Sequence, residues 1–160
     1  MDLSATAFLE DETATDRLGS VIAAILKPGD TILLDGEIGA GKSHLARAAI
    51  QAMYRTAGLD AVEVPSPTYT IVQTYDLPNA TIWHADLYRL ADGSETHELG
   101  LDDAFGVDIV MVEWPDRLFT APSDALRVSL TSDGFGRRVR LSSSNARWKA
   151  LFEEVDCLDA

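Results

Sequence analysis

The densest chemistry in the sequence lies in eight consecutive residues, Gly36-Glu37-Ile38-Gly39-Ala40-Gly41-Lys42-Ser43. They fit the pattern G-x-x-x-x-G-K-[ST] without a gap. The glycines allow backbone conformations that turn consecutive N–H groups inward, with no side chain to hold phosphates away. A helix starting at Lys42 points its positive end at the same spot. Lys42 reaches β- and γ-phosphates as a mobile point charge. Ser43 offers a hydroxyl to magnesium, a hard cation that takes oxygen ligands. A glycine-rich turn can match such a pattern by accident. Here the required context is present, with an apolar strand over residues 31–35 (TILLD) before the loop and an amphipathic helix after it. The expected nucleotide contacts on this stretch are Gly39, Ala40, Gly41, Lys42, Ser43 and, by its place at the loop, His44. As a side chain, His44, like His97, reads as a surface or packing residue.

Such a loop calls for a carboxylate at the end of a neighbouring strand to hold magnesium or its water shell. Glu113 follows the apolar run Ile109-Val110-Met111-Val112 directly. In a parallel sheet that places it at the carboxyl edge, beside the loop. Glu113 is the first choice, and the bland alternative is an exposed strand-end glutamate. Asp86 lies in residues 81–88 (TIWHADLY), where alternation puts Ile82, His84, Asp86 and Tyr88 on one face. Two roles are open to it. It either faces the γ-phosphate, its magnesium or the attacking water, or is a structural aspartate partnered by a residue such as Arg89. His84 with Asp86 is a weak zinc pattern, with no cysteine or further histidine close by. Trp83, Trp114 and Trp148 read mainly as core, and Trp114 is also placed to stack at the site's edge.

The positioning elements are legible around these residues. A strand is expected within residues 3–9 and a helix over 13–27, with Thr13 and Asp16 as a capping box and Pro28-Gly29 as its stop. The helix from Lys42 runs to Thr56, with Gly58 just beyond as a left-handed cap. Two prolines exclude helix from residues 64–69. Residues 70–75 and 81–88 form a hairpin, 94–99 a short helix, and 108–112 a strand covered on both faces. Residues 126–131 and 138–142 form a second hairpin about Asp133-Gly134. Asn145 caps a last helix carrying Trp148, Leu151, Phe152 and Val155. The sum is one α/β domain over residues 1–160: a P-loop NTPase-like parallel sheet core extended by antiparallel hairpins, with helices on both faces.

Bulk composition bounds the partners. The chain has 160 residues, 46% hydrophobic and 24% charged, with 13 basic against 26 acidic residues and a net charge of −13. That balance disfavours direct binding to nucleic acid or to an anionic membrane, because phosphate neutralisation and counterion release drive such binding. No apolar run approaches the ~20 residues of a membrane-spanning helix. Residues 1–12 carry acidic and no basic side chains, unlike a signal or transit peptide. A single cysteine, Cys157, suits a reducing cytoplasm.

Four ordered motifs then carry a resemblance. Beyond the glycine-rich loop, the sequence has Ser66-Pro67-Thr68-Tyr69, Asp86-Leu87-Tyr88-Arg89-Leu90 and Val112-Glu113-Trp114-Pro115, with Thr15 ahead of Leu18-Gly19. From the first helix to Leu118, the chain resembles the bacterial TsaE (YjeE-type) ATPases of tRNA threonylcarbamoyladenosine biosynthesis. The resemblance implies ATP on the loop, magnesium on Ser43 and Glu113, and Asp86 required for hydrolysis alongside Lys42 and Glu113. It also implies a switch at Thr68 near the γ-phosphate and Thr15 near the nucleotide. Its implied partners are the threonylcarbamoyl-transferase protein and a paralogue of that protein, with tRNA met only indirectly. Two departures stand out: Ser43 replaces the usual threonine, and Gly93-Ser94-Glu95-Thr96-His97 replaces a more acidic, proline-started helix.

Rival readings remain. A small-molecule kinase would add an acceptor site and an Arg-rich lid, but the arginines are scattered. A GTPase switch would carry an Asn/Thr-Lys-x-Asp segment, and no lysine exists between Lys42 and Lys149 to build one. A passive module with a vestigial loop sits poorly with intact Lys42, Ser43, Asp86 and Glu113.

Overall fold

The computed structural model describes residues 2–90 and 94–158. Seven strands form one mixed sheet in the order β1-β7-β6-β2-β5-β4-β3. These are β1 (Leu3–Leu9), β2 (Thr31–Gly36), β3 (Val72–Leu77), β4 (Ala80–Asp86), β5 (Ile109–Glu113), β6 (Leu126–Asp133) and β7 (Gly136–Ser143). The four central strands β6, β2, β5 and β4 run parallel. Antiparallel pairs extend them on both sides, β3 against β4 and β7 against β6, with β1 closing the far edge on β7. The expected parallel core with hairpin extensions is present.

Side-chain alternation explains why β2 and β5 read as continuous apolar runs. Ile32, Leu34, Ile109 and Met111 join the core under helices α1 (Glu12–Ala23), α2 (Lys42–Thr56) and α5 (Lys149–Cys157). Leu33, Val110 and Val112 point the other way, into a second core with Leu87, Leu101 and Ala104. Helices therefore cover both faces, but unequally. The three long ones share one face, and the other is covered by α4 (Leu101–Ala104) and the segments around it. Trp148 is buried among the first group, and its indole N–H donates to the Asp124 carbonyl. Among the described residues no helix is long and apolar enough to cross a membrane.

Several boundaries differ from the sequence expectation, each for a local reason. The cap of α1 is Asp11, whose carboxylate accepts from the Ala14 N–H at 2.9 Å, so Thr13 and Asp16 do not form a capping box. That helix ends at Ala23, not Lys27, because residues 24–30 turn. Asp30 accepts from the Lys27 N–H at 2.9 Å and is gripped by Arg147. β3 starts at Val72, since Ile71 adopts a left-handed φ of 71° and its N–H donates to the Pro67 carbonyl. The short helix α3 (Ser94–Glu98) stands where expected, whereas Gly93 of the departing segment lies outside the described residues. Asn145 caps a 3₁₀ turn at Ala146–Trp148 that leads into α5.

Candidate functional site

The loop after β2 owes its shape to three glycines with different reasons. A Cβ on Gly36 would stand 2.7 Å from the Leu130 carbonyl, so only glycine lets the loop leave the sheet beside β6. Gly39 and Gly41 adopt φ of +82° and +104°, and a Cβ on either would meet nothing within 4 Å. Their requirement is conformational rather than one of packing. Gly41 caps α2 in that left-handed state, leaving the first N–H groups of the helix without a side-chain cap. Arg137, from the start of β7, donates to the carbonyls of Ala40 and Gly39, each at 3.1 Å. That bracing from outside the loop was not anticipated from sequence, where Arg137 is one of several arginines in a strand.

Lys42 is buried at 5% exposure. Its ammonium donates to the carbonyls of Gly36 at 2.6 Å and Glu37 at 2.8 Å, and lies 4.2 Å from the centre of the Trp114 ring. Burial lowers its pKa below 10.5, while the neighbouring Glu113, Asp86 and Asp35 carboxylates act in the opposite direction. Trp114 holds its place through a left-handed φ of 59° directly after β5, with Tyr88 packed on its ring.

Glu113 sits where the sequence placed it, at the carboxyl end of β5 beside the loop, and is buried. The Ser43 hydroxyl lies 2.9 and 2.8 Å from its two carboxylate oxygens. A hydroxyl and a carboxylate in contact make an all-oxygen donor set, which fits a hard cation such as magnesium. From the other side, His84 Nε2 meets Glu113 Oε2 at 2.7 Å. This histidine, considered in sequence only as a weak zinc ligand, is aimed at the carboxylate.

Asp86 ends β4 and is buried. Its Oδ1 accepts from the Tyr88 N–H at 2.9 Å and its Oδ2 from the Thr68 hydroxyl at 3.2 Å. Arg89, the partner considered for it, instead lies over the Tyr69 ring. The segment 66–71 is tied to Asp86 twice, since the Asp86 N–H also donates to the Ile71 carbonyl. Hydroxyls then link the two carboxylates, from Ser43 to Ser66 at 3.1 Å and from Ser66 to Thr68 at 2.9 Å. The local pattern around Ser66 carries no sign of this link, which depends on the approach of Ser43 from α2.

These groups converge on one open cavity of about 380 Å³, whose walls include Lys42, Ser43, Thr68, Asp86, Glu113 and Trp114. Gly39, Gly41 and His44 also border it, and His44 is held by Asp16 of α1 at 2.8 Å. Thr15 borders an adjoining cavity of about 430 Å³ that shares Gly39, Gly41 and His44 and is also bordered by Phe135 and Arg137. It is brought there by a close helix crossing, where a Cβ on Gly19 would come within 2.6 Å of Ala48 Cβ. Ala40 borders neither cavity. Its methyl is buried beneath the loop, and its N–H donates to the Glu37 carbonyl.

A glycine-rich strand-to-helix loop at the carboxyl edge of a parallel sheet core defines an α/β protein of P-loop-like fold. Similar proteins narrow the class. The family model for "Threonylcarbamoyl adenosine biosynthesis protein TsaE" matches residues 9–139. A tRNA threonylcarbamoyladenosine biosynthesis protein TsaE from Rickettsia conorii is 37% identical over 154 residues, spanning 94% of this chain and 83% of that one. Its Bacillus subtilis counterpart is 31% identical over 144 residues, spanning 88% and 87%. The crystal structure of Bacillus subtilis YdiB matches with a TM-score of 0.74 at 25% identity, covering 100% of this chain and 99% of that one. The chain belongs to the TsaE family.

Proposed function

We propose that this chain is a cytoplasmic, magnesium-dependent ATPase that serves threonylcarbamoyladenosine modification of tRNA. In this reading it works beside the threonylcarbamoyl-transferase protein and that protein's paralogue. The observation that carries the reading is the meeting of Lys42, Ser43, Asp86 and Glu113, from three separate segments, on one cavity at the glycine-rich loop. Family membership supports the pathway, since the relatives are described by that biosynthesis.

The residues divide the work. Backbone N–H groups at the start of α2 and the Lys42 ammonium bind the phosphates. Ser43 and Glu113 would hold magnesium, which when bound supplies positive charge against the phosphate oxygens. Asp86, fixed by the Tyr88 N–H and the Thr68 hydroxyl, presents a carboxylate that orients an attacking water and takes up its proton at Oδ2. The Ser66–Thr68 turn couples that carboxylate to Ser43, so a change at the phosphate end is felt at both. Trp114 and Tyr88, packed ring against ring, border one side of the cavity.

ATP hydrolysis by the purified chain, alone and with the other tRNA-modification proteins of the same cell, tests this. Phosphate release that depends on magnesium and rises with the partners is expected. Transfer of the phosphoryl group to a small acceptor instead of water would make the chain a kinase. Absence of both activities would overturn the enzyme reading.

A further inference from the structure

His84 is fully buried in the middle of β4, at 0% exposure. Its two ring nitrogens have opposite surroundings. Nε2 lies 2.7 Å from Glu113 Oε2, whereas Nδ1 is buried and has no hydrogen-bond partner among the described residues. A hydrogen on Nδ1 would be a donor sealed from water with no acceptor, which is costly. A hydrogen on Nε2 meets a carboxylate oxygen at a charge-assisted distance. The surroundings therefore select one arrangement of the ring, with its hydrogen at Nε2.

We propose that His84 is a positioning residue for the metal-binding carboxylate: it donates from Nε2 to Glu113 Oε2 and thereby leaves Oε1 to face the cation beside Ser43. This rests on the magnesium reading given above. The strand register makes the arrangement rigid. His84 lies opposite Met111 on adjacent parallel strands, two residues before Glu113. Both backbones are pinned by sheet hydrogen bonds, so the ring cannot drift from the carboxylate without disturbing the sheet. With Oε2 committed to the ring, the carboxylate has little freedom to rotate. Ser43 Oγ, 2.9 Å from Oε1 and 2.8 Å from Oε2, then meets a carboxylate held in a fixed place, of which Oε1 is the oxygen not taken by the ring. Outer partners of this kind typically set metal affinity by about 10- to 100-fold.

Two measurements decide the proposal. In the first, nitrogen NMR of the metal-free, nucleotide-free chain reads which ring nitrogen of His84 carries hydrogen. The protein has three histidines, and the His84 signals are assigned in the wild-type chain by through-bond correlation to its own backbone. A hydrogen at Nε2 and a bare Nδ1 are expected, and a hydrogen on Nδ1 overturns the proposal whether or not the variants fold. In the second, binding of a fluorescent ADP analogue is followed through a magnesium titration for wild type, His84→Gln and His84→Met. The Gln amide reaches the position of Nε2 and keeps a donor; Met keeps bulk and loses it. His84→Met should raise the half-saturating magnesium concentration about 10-fold or more, while His84→Gln stays within about threefold of wild type. Binding without magnesium should be alike in all three. Equal impairment of both variants would reduce His84 to packing, and an unchanged His84→Met would remove it from the site. If wild-type binding ignores magnesium, the metal reading itself fails, and the NMR result still decides whether the ring orients Glu113.

Discussion

Asp86 and Glu113 lie directly opposite one another on the adjacent parallel strands β4 and β5, yet their carboxylates hold different groups. Glu113 takes Ser43 and His84, whereas Asp86 takes Thr68 and the Tyr88 N–H. The separation predicts separable defects. Glu113→Gln should weaken magnesium-dependent nucleotide binding, with partial recovery in excess metal. Asp86→Asn should leave binding near normal and lower single-turnover hydrolysis by about 10²-fold or more. Nucleotide affinity across a magnesium titration, paired with single-turnover rates, reads both. Lost binding in Asp86→Asn with both activities kept in Glu113→Gln would put the metal ligand on the wrong strand.

Lys42 makes two demands on experiment. Its ammonium is held by loop carbonyls and an aromatic face rather than by the core, so Lys42→Ala should abolish turnover and retain the folded circular-dichroism spectrum. Its titration carries a sign. The pKa is lowered from 10.5, chiefly by burial, so the folded chain loses this proton at lower pH than the unfolded chain. Between the two values the unfolded state binds more protons, and stability from this group rises with pH. The melting temperature of wild type minus that of Lys42→Met should therefore increase as nucleotide-free samples are taken from neutral toward 10.5. A difference that shrinks over that window would mean the neighbouring carboxylates outweigh burial.

Arg137 braces the loop from β7 through two outward-facing carbonyls. Removing it should loosen the loop without unfolding the sheet, whose strand pairs are made by backbone groups. Arg137→Ala is expected to weaken ADP binding by about 10-fold, or ~1.4 kcal/mol, close to the lower end of what hydrogen bonds from a charged donor contribute. The melting temperature without nucleotide should fall only a few degrees, by about what one partly buried contact contributes. Calorimetric titration and thermal unfolding of the same preparation separate the two. Unchanged ADP affinity would show that the loop holds its shape alone.

The excess of 26 acidic over 13 basic residues makes a prediction about RNA. Alone, the chain should bind tRNA weakly at physiological salt. A submicromolar complex in a gel shift, without partner proteins, would reveal a local basic surface that outweighs the overall charge.

The elements that build the site were legible because their signals are local. The loop pattern, the apolar run ending at Glu113 and the alternation through Asp86 each sit within a few residues. Long-range pairings carry no such signal. Nothing in residues 126–133 says that β6 lies beside β2, nor does any local pattern say that β1 closes on β7. The roles of His84, Ser66 and Arg137 were missed for the same reason, since each depends on a neighbour brought close by the sheet or by a turn. At α1, a local rule did fail. Asp11 and Thr13 both suit a cap, and the choice fell to the residue whose carboxylate reaches the Ala14 N–H. α4 has four residues, too short for a periodic pattern to show.

The edge position of β1 has a bearing on how the chain reaches its native state. Leu3 pairs with Ser143, and β6, the neighbour of β2, is drawn from residues 126–133. A ribosome therefore releases the first strand and the phosphate-loop strand long before the segments that flank them. Until then β1 has no ladder to join and β2 lacks one side, leaving their apolar residues without cover. Closing such distant pairs is entropically slow, and exposed strand edges invite association with other chains. Refolding of this domain should accordingly be limited by docking of the β6–β7 hairpin between β1 and β2. The nucleotide-binding loop would be among the last parts of the molecule to become rigid.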